Sequence, residues 1–223
     1  RGKDLAVASF QGLSASYSNT GYMGIPLCAL ALGQDGLAPA IISTFVVFVM
    51  FALATIFIEI GILSHKKHHE IVLSVLKSLC TNPLLIAPVA GLLWASSGLV
   101  MYDPVAQVIS FLAGASTPCA LVSIGLFLMQ KSDASPSQTW GISAMKLLIQ
   151  PLIAWLIAGP ILDLPPLWLS AAVILSALPT GTGPFMLAQY YKADGRLISR
   201  VVLVTTVGSL ITLSSILWWN GRV

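Results

Sequence analysis

A chain of 223 residues with 57% hydrophobic and 9% charged side chains, and a mean hydropathy of +0.90, does not have the composition of a water-soluble domain, where about 25% of residues carry charge. So much apolar surface exceeds what a core of this size can hide, and lipid is the solvent that fits it. The net charge of +3 comes with no basic stretch alternating with aromatics, so no nucleic-acid partner is expected, and Cys28, Cys80 and Cys119, odd in number and set in or beside apolar runs, make neither a disulfide framework nor a zinc set.

The opening RGKDLAVASFQG has basic residues, but Ser, Gln and Gly break the apolar run behind them, which argues against a signal peptide. A spanning helix needs about 20 mostly apolar residues, and seven segments qualify. The first runs from Leu5 to Leu32 and is rich in Gly, Ser and Pro. The second is Ala38 to Leu63, almost uniformly apolar until Glu59. An amphipathic stretch, Glu70 to Leu79, precedes the third, Asn82 to Val100. The fourth is Pro104 to Met129 and the fifth Trp140 to Leu162. The sixth, Pro165 to Tyr191, is again interrupted by Gly and Pro, and the seventh is Ile198 to Trp219.

Lys and Arg gather in the connections on one side of a membrane. Numbering the connections alternately puts Arg1, Lys3, Lys66, Lys67, Lys77, Lys131, Lys192, Arg196 and Arg200 on one side. Arg222, with Asp35, Asp103 and Asp163, falls on the other. Nine against one makes the first side cytoplasmic and places the C-terminus outside, as in a bacterial inner-membrane protein. Trp168, Trp218 and Trp219 read as interface anchors.

Two segments resemble each other. Asn19-Thr-Gly-Tyr-Met-Gly-Ile-Pro26 is followed by Asp35-Gly36, and Pro179-Thr-Gly-Thr-Gly-Pro184 by Asp194-Gly195, at offsets of 15 and 14 residues from Thr-Gly to Asp-Gly. Each leads into a clean apolar helix. The charge count puts Asp35 outside and Asp194 inside, so the two units point opposite ways, as in the inverted repeats of secondary transporters. First to sixth segment is five helices. Residues 82–223 therefore read as a complete second five-helix repeat, and 1–64 as the last two helices of the first. Residues 65–81 form a basic cytoplasmic loop with the amphipathic stretch, and three helices are expected to precede Arg1.

Pro and Gly are dense enough in both segments to unwind a helix near mid-membrane. Freed backbone groups cost several kcal/mol each in hydrocarbon unless protein, water or a ligand pairs them, and helix N-termini at a break favour anions. The candidate substrate site is therefore Asn19, Thr20, Gly21, Gly24 and Pro26 with Pro179, Thr180, Gly181, Thr182 and Gly183.

The run Ser18-Asn-Thr-Gly-Tyr-Met-Gly-Ile-Pro-Leu27 resembles the fourth helix of the auxin efflux carrier family, which includes bacterial malonate-type permeases. Asn82-Pro83, Ser123-Ile-Gly-Leu126, Lys146-Leu-Leu-Ile-Gln-Pro151 and Ala177-Leu-Pro-Thr180 are similar to other stretches of that family. The resemblance covers essentially the whole chain. It implies an all-α integral membrane fold of ten helices in two inverted five-helix repeats, like bile-acid symporters and sodium/proton antiporters. Seven of those helices are present here and the first three missing. It also implies that the fourth and ninth family helices cross at the substrate site.

Lys146 is the one basic residue well inside a predicted span, at about 2.5 to 3.5 kcal/mol on insertion scales. It reads either as a counter-charge for an anion, or as a cation substitute that alternates with the substrate, or, more ordinarily, as a side chain snorkelling to the cytoplasmic end. Gln150, one turn further in, is the better-placed polar group. Glu59 could relay protons, but its ordinary reading is a solvated interfacial carboxylate. His65-Lys-Lys-His-His69 has metal-ligand spacing, yet reads better as a basic loop facing anionic headgroups. Asn82-Pro83 reads as a helix cap and first turn.

The function expected is secondary transport of a small organic anion, such as malonate or another carboxylate, with a channel or non-transporting receptor on the same scaffold as the alternative. No paired carboxylates, Ser/His set or P-loop suggests an enzyme or ATP-driven pump. No cofactor is expected. The coupling ion, proton or sodium, is left open, as is a homodimer.

Overall fold

A computed structural model describes residues 2–64, 66–128 and 136–220, and these fold almost entirely into helices. Arg1, His65, Lys131 and Arg222, which enter the charge count or the histidine cluster, lie outside the described residues. Helix α1 (Gly2–Ser16) ends in extended backbone. A wide π turn, Thr20–Gly24, then leads directly into α2 (Ile25–Leu32). The Pro26 ring opposes the carbonyl one turn back, and the chain widens there, Gly24 N–H donating to the Asn19 carbonyl at 3.1 Å.

A short turn at Gln34–Gly36 opens α3 (Leu37–Ile62), the longest unbroken apolar element near the start of the chain. Next come α4 (His68–Thr81) and α5 (Pro83–Ser96), meeting at a 57° bend. Asn82 makes that corner. Its Oδ1 accepts the Leu84 N–H at 2.9 Å, and Pro83 occupies the first turn, where its missing N–H is not needed. The third segment is shorter than the hydropathy suggests, because Gly98, at φ +68°, ends it two residues after Ser96. Fourteen residues rise only about 21 Å, short of the ~30 Å hydrocarbon core.

Helix α6 (Asp103–Leu128) carries Pro118 in its interior. The fifth apolar segment begins earlier than expected and has two widened turns: α7 (Pro136–Ala144), a π turn Met145–Ile149, α8 (Gln150–Leu156), and a π turn Ile157–Ile161. Pro151 and Pro160 lack the N–H for a regular ladder. Helix α9 (Pro166–Ser176) stops in extended backbone, α10 (Gly183–Tyr190) resumes, and α11 (Arg196–Asn220) closes the described chain. Asp194 starts α11 by accepting the Arg196 N–H at 3.0 Å. The Arg196 guanidinium beside it holds the Asp194 carboxyl below the usual carboxylate range.

Three helical runs, Gln34–Ile62, Pro136–Ile161 and Arg196–Trp219, are long and apolar enough to cross a membrane, and the bent α4–α5 pair could make a fourth. The outward surface is apolar in large part: Phe45, Phe111, Leu148 and Ile211 are all exposed, which suits lipid contact. Two buried apolar clusters hold the bundle. One gathers Phe10, Leu13, Phe51, Ile58, Phe185 and Val202. The other gathers Cys28, Ala40, Ile174, Leu175, Leu178 and Leu213. Buried polar residues, among them Ser14, Ser18, Thr20, Lys146, Thr180 and Thr205, come from the segments that lie between these clusters in the chain.

The two interrupted segments share a following geometry. Gly36 and Gly195 each sit where the chain turns into a long helix. A Cβ on Gly36 would lie 2.7 Å from the Cys28 carbonyl oxygen and the Leu32 Cβ; one on Gly195 would lie 3.1 Å from Gln189 Nε2 and 3.3 Å from Phe185. At Gly36 the missing Cβ lets the turn close on the backbone of α2, and at Gly195 it leaves room for the Gln189 and Phe185 side chains.

Candidate functional site

The extended stretch after α1 and the extended stretch after α9 lie against each other as a single antiparallel bridge, Ser18 opposite Thr180. Asn19 N–H donates to the Pro179 carbonyl and Gly181 N–H to the Tyr17 carbonyl, each at 3.0 Å. Each break thus supplies the partners that the other's unwound backbone needs, in a setting where an unpaired group would cost several kcal/mol. Neighbouring helices complete the pairing. Thr180 Oγ1 donates to the Ser14 carbonyl at 2.8 Å, and Thr205 Oγ1 on α11 accepts the Thr180 N–H at 3.1 Å.

Small residues make this approach possible. A Cβ on Gly181 would lie 2.9 Å from the Tyr17 ring, and one on Gly183 would lie 2.5 Å from it. Tyr17 therefore rests on both glycines, and an alanine at either place has to move the ring. Gly24 packs the first segment against α9, where a Cβ would meet Leu175 at 2.8 Å and Leu178 at 3.1 Å.

Lys146 lies in the π turn of Met145–Ile149 and is fully buried. Its Nζ donates to Ser18 Oγ at 2.9 Å and to the Ser176 carbonyl at 2.7 Å, touching the first break and the end of α9 together. The snorkelling reading is overturned, because the widened turn ahead of Pro151 aims the side chain at the paired backbones and not along the helix. Among the described residues no carboxylate reaches it. Gln150, one turn further in the same helical run, donates from Nε2 to the Ser16 carbonyl at 3.0 Å, and its Oε1 is buried without a partner among the described residues.

Two cavities flank the pair. One, of about 360 Å³, is lined by Asn19, Thr20, Gly21, Thr182 and Gly183 together with α3 and α5. The other, of about 300 Å³, is lined by Ser16, Gln150 and Ser176 with α3 and α9. Ser18 and Val47 line both. The Asn19 side chain makes no hydrogen bond among the described residues, and the Thr182 hydroxyl reaches only Met186 Sδ, at 3.9 Å. The first cavity therefore holds polar groups not committed to the fold.

Of the residues singled out from sequence, Asn19, Thr20, Gly21, Thr182 and Gly183 line the first cavity. Pro179, Thr180 and Gly181 form the bridge, and Lys146 and Gln150 approach it from α7–α8. Pro26 lies within the first turn of α2 and lines neither cavity. Sequence reasoning missed Ser14, Ser16, Ser176 and Thr205, and took Ser18 only as part of a motif. Ser14, Ser16 and Ser176 act through backbone carbonyls, and Ser18 and Thr205 through hydroxyls that meet residues remote in sequence, neither of which leaves a local pattern.

Glu59 is a second correction. It is buried, accepting hydrogen bonds from the Tyr191 hydroxyl at 2.9 Å and from Ser74 Oγ at 3.4 Å. Helix α4 folds over it, so it is not a solvated interfacial group. His68 and His69 are exposed at the start of α4.

Residues 3–217 match the membrane transport protein family. A protein of Rhizobium meliloti carrying the name "Putative malonate transporter" is 30% identical over 98% of this chain and 69% of its own length. Two proteins named only as uncharacterized transporters are similar as well. That of Methanocaldococcus jannaschii is 26% identical over 92% of this chain and 66% of its own length. That of Methanothermobacter thermautotrophicus is 28% identical over 90% and 64%. The chain thus spans about two thirds of the length of the relatives it matches. With its helical fold, its apolar outer surface and this match over nearly all its residues, the chain is an integral membrane protein and belongs to the membrane transport protein family, that of the auxin efflux carriers.

Proposed function

We propose that the protein is a secondary carrier for a small organic anion, working by alternating access around the two paired breaks. The observation that carries this reading is Lys146: a buried basic side chain with no acid to pair with among the described residues, held against the point where two interrupted helices meet. Such a group favours an anion in its surroundings. The half-helices Thr20–Leu32 and Gly183–Tyr190 both begin at the crossing, so their N-terminal partial positive charges add to the same preference. Asn19 and Thr182 provide uncommitted polar groups for carboxylate oxygens. The name of the Rhizobium meliloti relative supports malonate, or a dicarboxylate of similar size, as the first substrate to try.

In this proposal the first and sixth segments are equivalent members of two inverted five-helix repeats. Residues 82–223 form the second repeat, and 1–64 the last two helices of the first. The matched glycines at 36 and 195 and the long helices that follow support the equivalence. The basic connections face the cytoplasm of a bacterial inner membrane. The cavities on either side of the crossing would then open in turn as one bundle moves past the other.

Purified full-length protein in proteoliposomes tests the reading. Malonate uptake is expected to saturate and to show counterflow, with vesicles preloaded with unlabelled malonate taking up label faster than empty ones. Conductance without counterflow would make the protein a channel, and specific binding with neither would make it a receptor.

A further inference from the structure

Glu59 stands apart from the crossing. Among the acidic side chains whose burial is described it is the one withdrawn from solvent, 9% exposed in the last turns of α3. Tyr191, at the end of α10, donates to its Oε1, and Ser74 of α4 donates to its Oε2. Tyr191 Oη is also 2.9 Å from Ser78 Oγ of α4, a pair in which either atom can be the donor. No Lys, Arg or His is within ion-pair distance of Glu59 among the described residues. Lys66 and Lys67 after α3 and the charged and titratable groups of α4, His68, His69, Glu70, Lys77 and Cys80, are exposed, and at the end of α10 Tyr191 alone reaches Glu59, its ring 5.2 Å from that of Tyr190. Among the described residues the carboxylate is thus held by two neutral hydroxyl donors, with no basic side chain against it.

A route exists. A cavity of about 950 Å³ lies beside Tyr191, lined also by Gln11, Gln138, Lys192 and the Asp194–Arg196 ion pair. It is polar enough to hold water. Tyr191 thus lines the cavity and has its hydroxyl on the buried acid.

We propose that Glu59 is a proton-binding site, loaded from this cavity through Tyr191, and that the proton is the coupling ion of the carrier; this rests on the carrier reading above. A hydronium in the cavity gives its proton to the Tyr191 oxygen as the Tyr191 hydroxyl proton passes to Glu59 Oε1. Water is left in the cavity, Tyr191 keeps one proton throughout, and the carboxylate becomes a carboxylic acid. Release is the reverse. The acid carries a hydroxyl of its own, so its contact with Tyr191 can turn round, with Tyr191 then donating to Ser78. Since Tyr191 ends the half-helix that begins at the second break, the proton changes how that half-helix is tied to α3 and α4. Sodium fits less well: a hard cation asks for several close oxygens, and here Ser74 is 3.4 Å from the carboxylate it would have to help.

The experiment uses full-length protein in sodium-free proteoliposomes, with malonate as the probe. For one proton per substrate, an inward gradient of one pH unit is expected to raise malonate accumulation about tenfold. Glu59→Gln is expected to lose this gradient response and keep counterflow. Tyr191→Phe is expected to slow it and serves if Glu59→Gln does not fold. Infrared difference spectra on acidification give a readout independent of transport, a carboxylic acid band present in the wild type and missing in Glu59→Gln. An unchanged gradient response in Glu59→Gln, an unchanged acid band, or accumulation driven by sodium alone would overturn the proposal. Absence of counterflow in the wild type would instead sink the carrier reading, and the infrared comparison would still decide Glu59.

Discussion

Replacing Lys146 with methionine is expected to lower malonate uptake by about a hundredfold while leaving the protein inserted and folded. Methionine keeps most of the side-chain volume, so the packing between α7–α8 and the crossing changes little. What disappears is the donor shared by Ser18 Oγ and the Ser176 carbonyl. Truncating one partner of a buried charged hydrogen bond costs about 2 to 5 kcal/mol, and about 3 kcal/mol at the substrate site corresponds to the hundredfold loss. Insertion itself becomes easier, by about 2.5 to 3.5 kcal/mol for a basic group removed from a span. Loss of uptake with an unchanged or higher Tm is therefore the signature of a substrate role. Loss of both together, or normal uptake, would make Lys146 a strut that only joins the two breaks.

Asn19→Ala and Thr180→Val are expected to separate binding from architecture. The Asn19 side chain lines the first cavity and makes no hydrogen bond among the described residues, so alanine should abolish uptake and malonate-induced thermal stabilisation without lowering the Tm of the unliganded protein. Thr180 holds the crossing together through the Ser14 carbonyl. Valine keeps its shape but leaves that carbonyl without its donor, a loss of about 1 to 3 kcal/mol. Uptake should again fail, here with a lower Tm. Thermal shift and uptake measured on the same preparations check both expectations, and normal transport by either variant removes that residue from the site.

Much of the fold was legible because composition and punctuation act locally. The lipid environment follows from the scarcity of charge, and the breaks at 17–19 and 177–182 lie close to the Gly and Pro clusters that cause them. The exact width of each break was not legible. Pro26 suggested unwinding through its own position, whereas it sits inside α2 and the widened turn ahead of it absorbs the clash. The third segment misled by hydropathy, which does not register that Gly98 ends a helix. At the candidate site the cavity-lining residues carried a signal in their type and spacing. The direction of Lys146 did not, since it depends on a π turn remote in sequence from the first break it meets. Glu59 was misread for the same reason: its burial comes from Tyr191 and α4, elements outside its own helix.

The most direct test of the paired breaks as a substrate site is an experimental structure of the full-length protein with malonate bound. A carboxylate is expected in the cavity beside Asn19 and Thr182, next to the Ser18–Lys146 contact, with both helices still interrupted. Malonate bound away from these residues, or continuous helices through positions 18 and 180, would contradict a substrate site at the crossing.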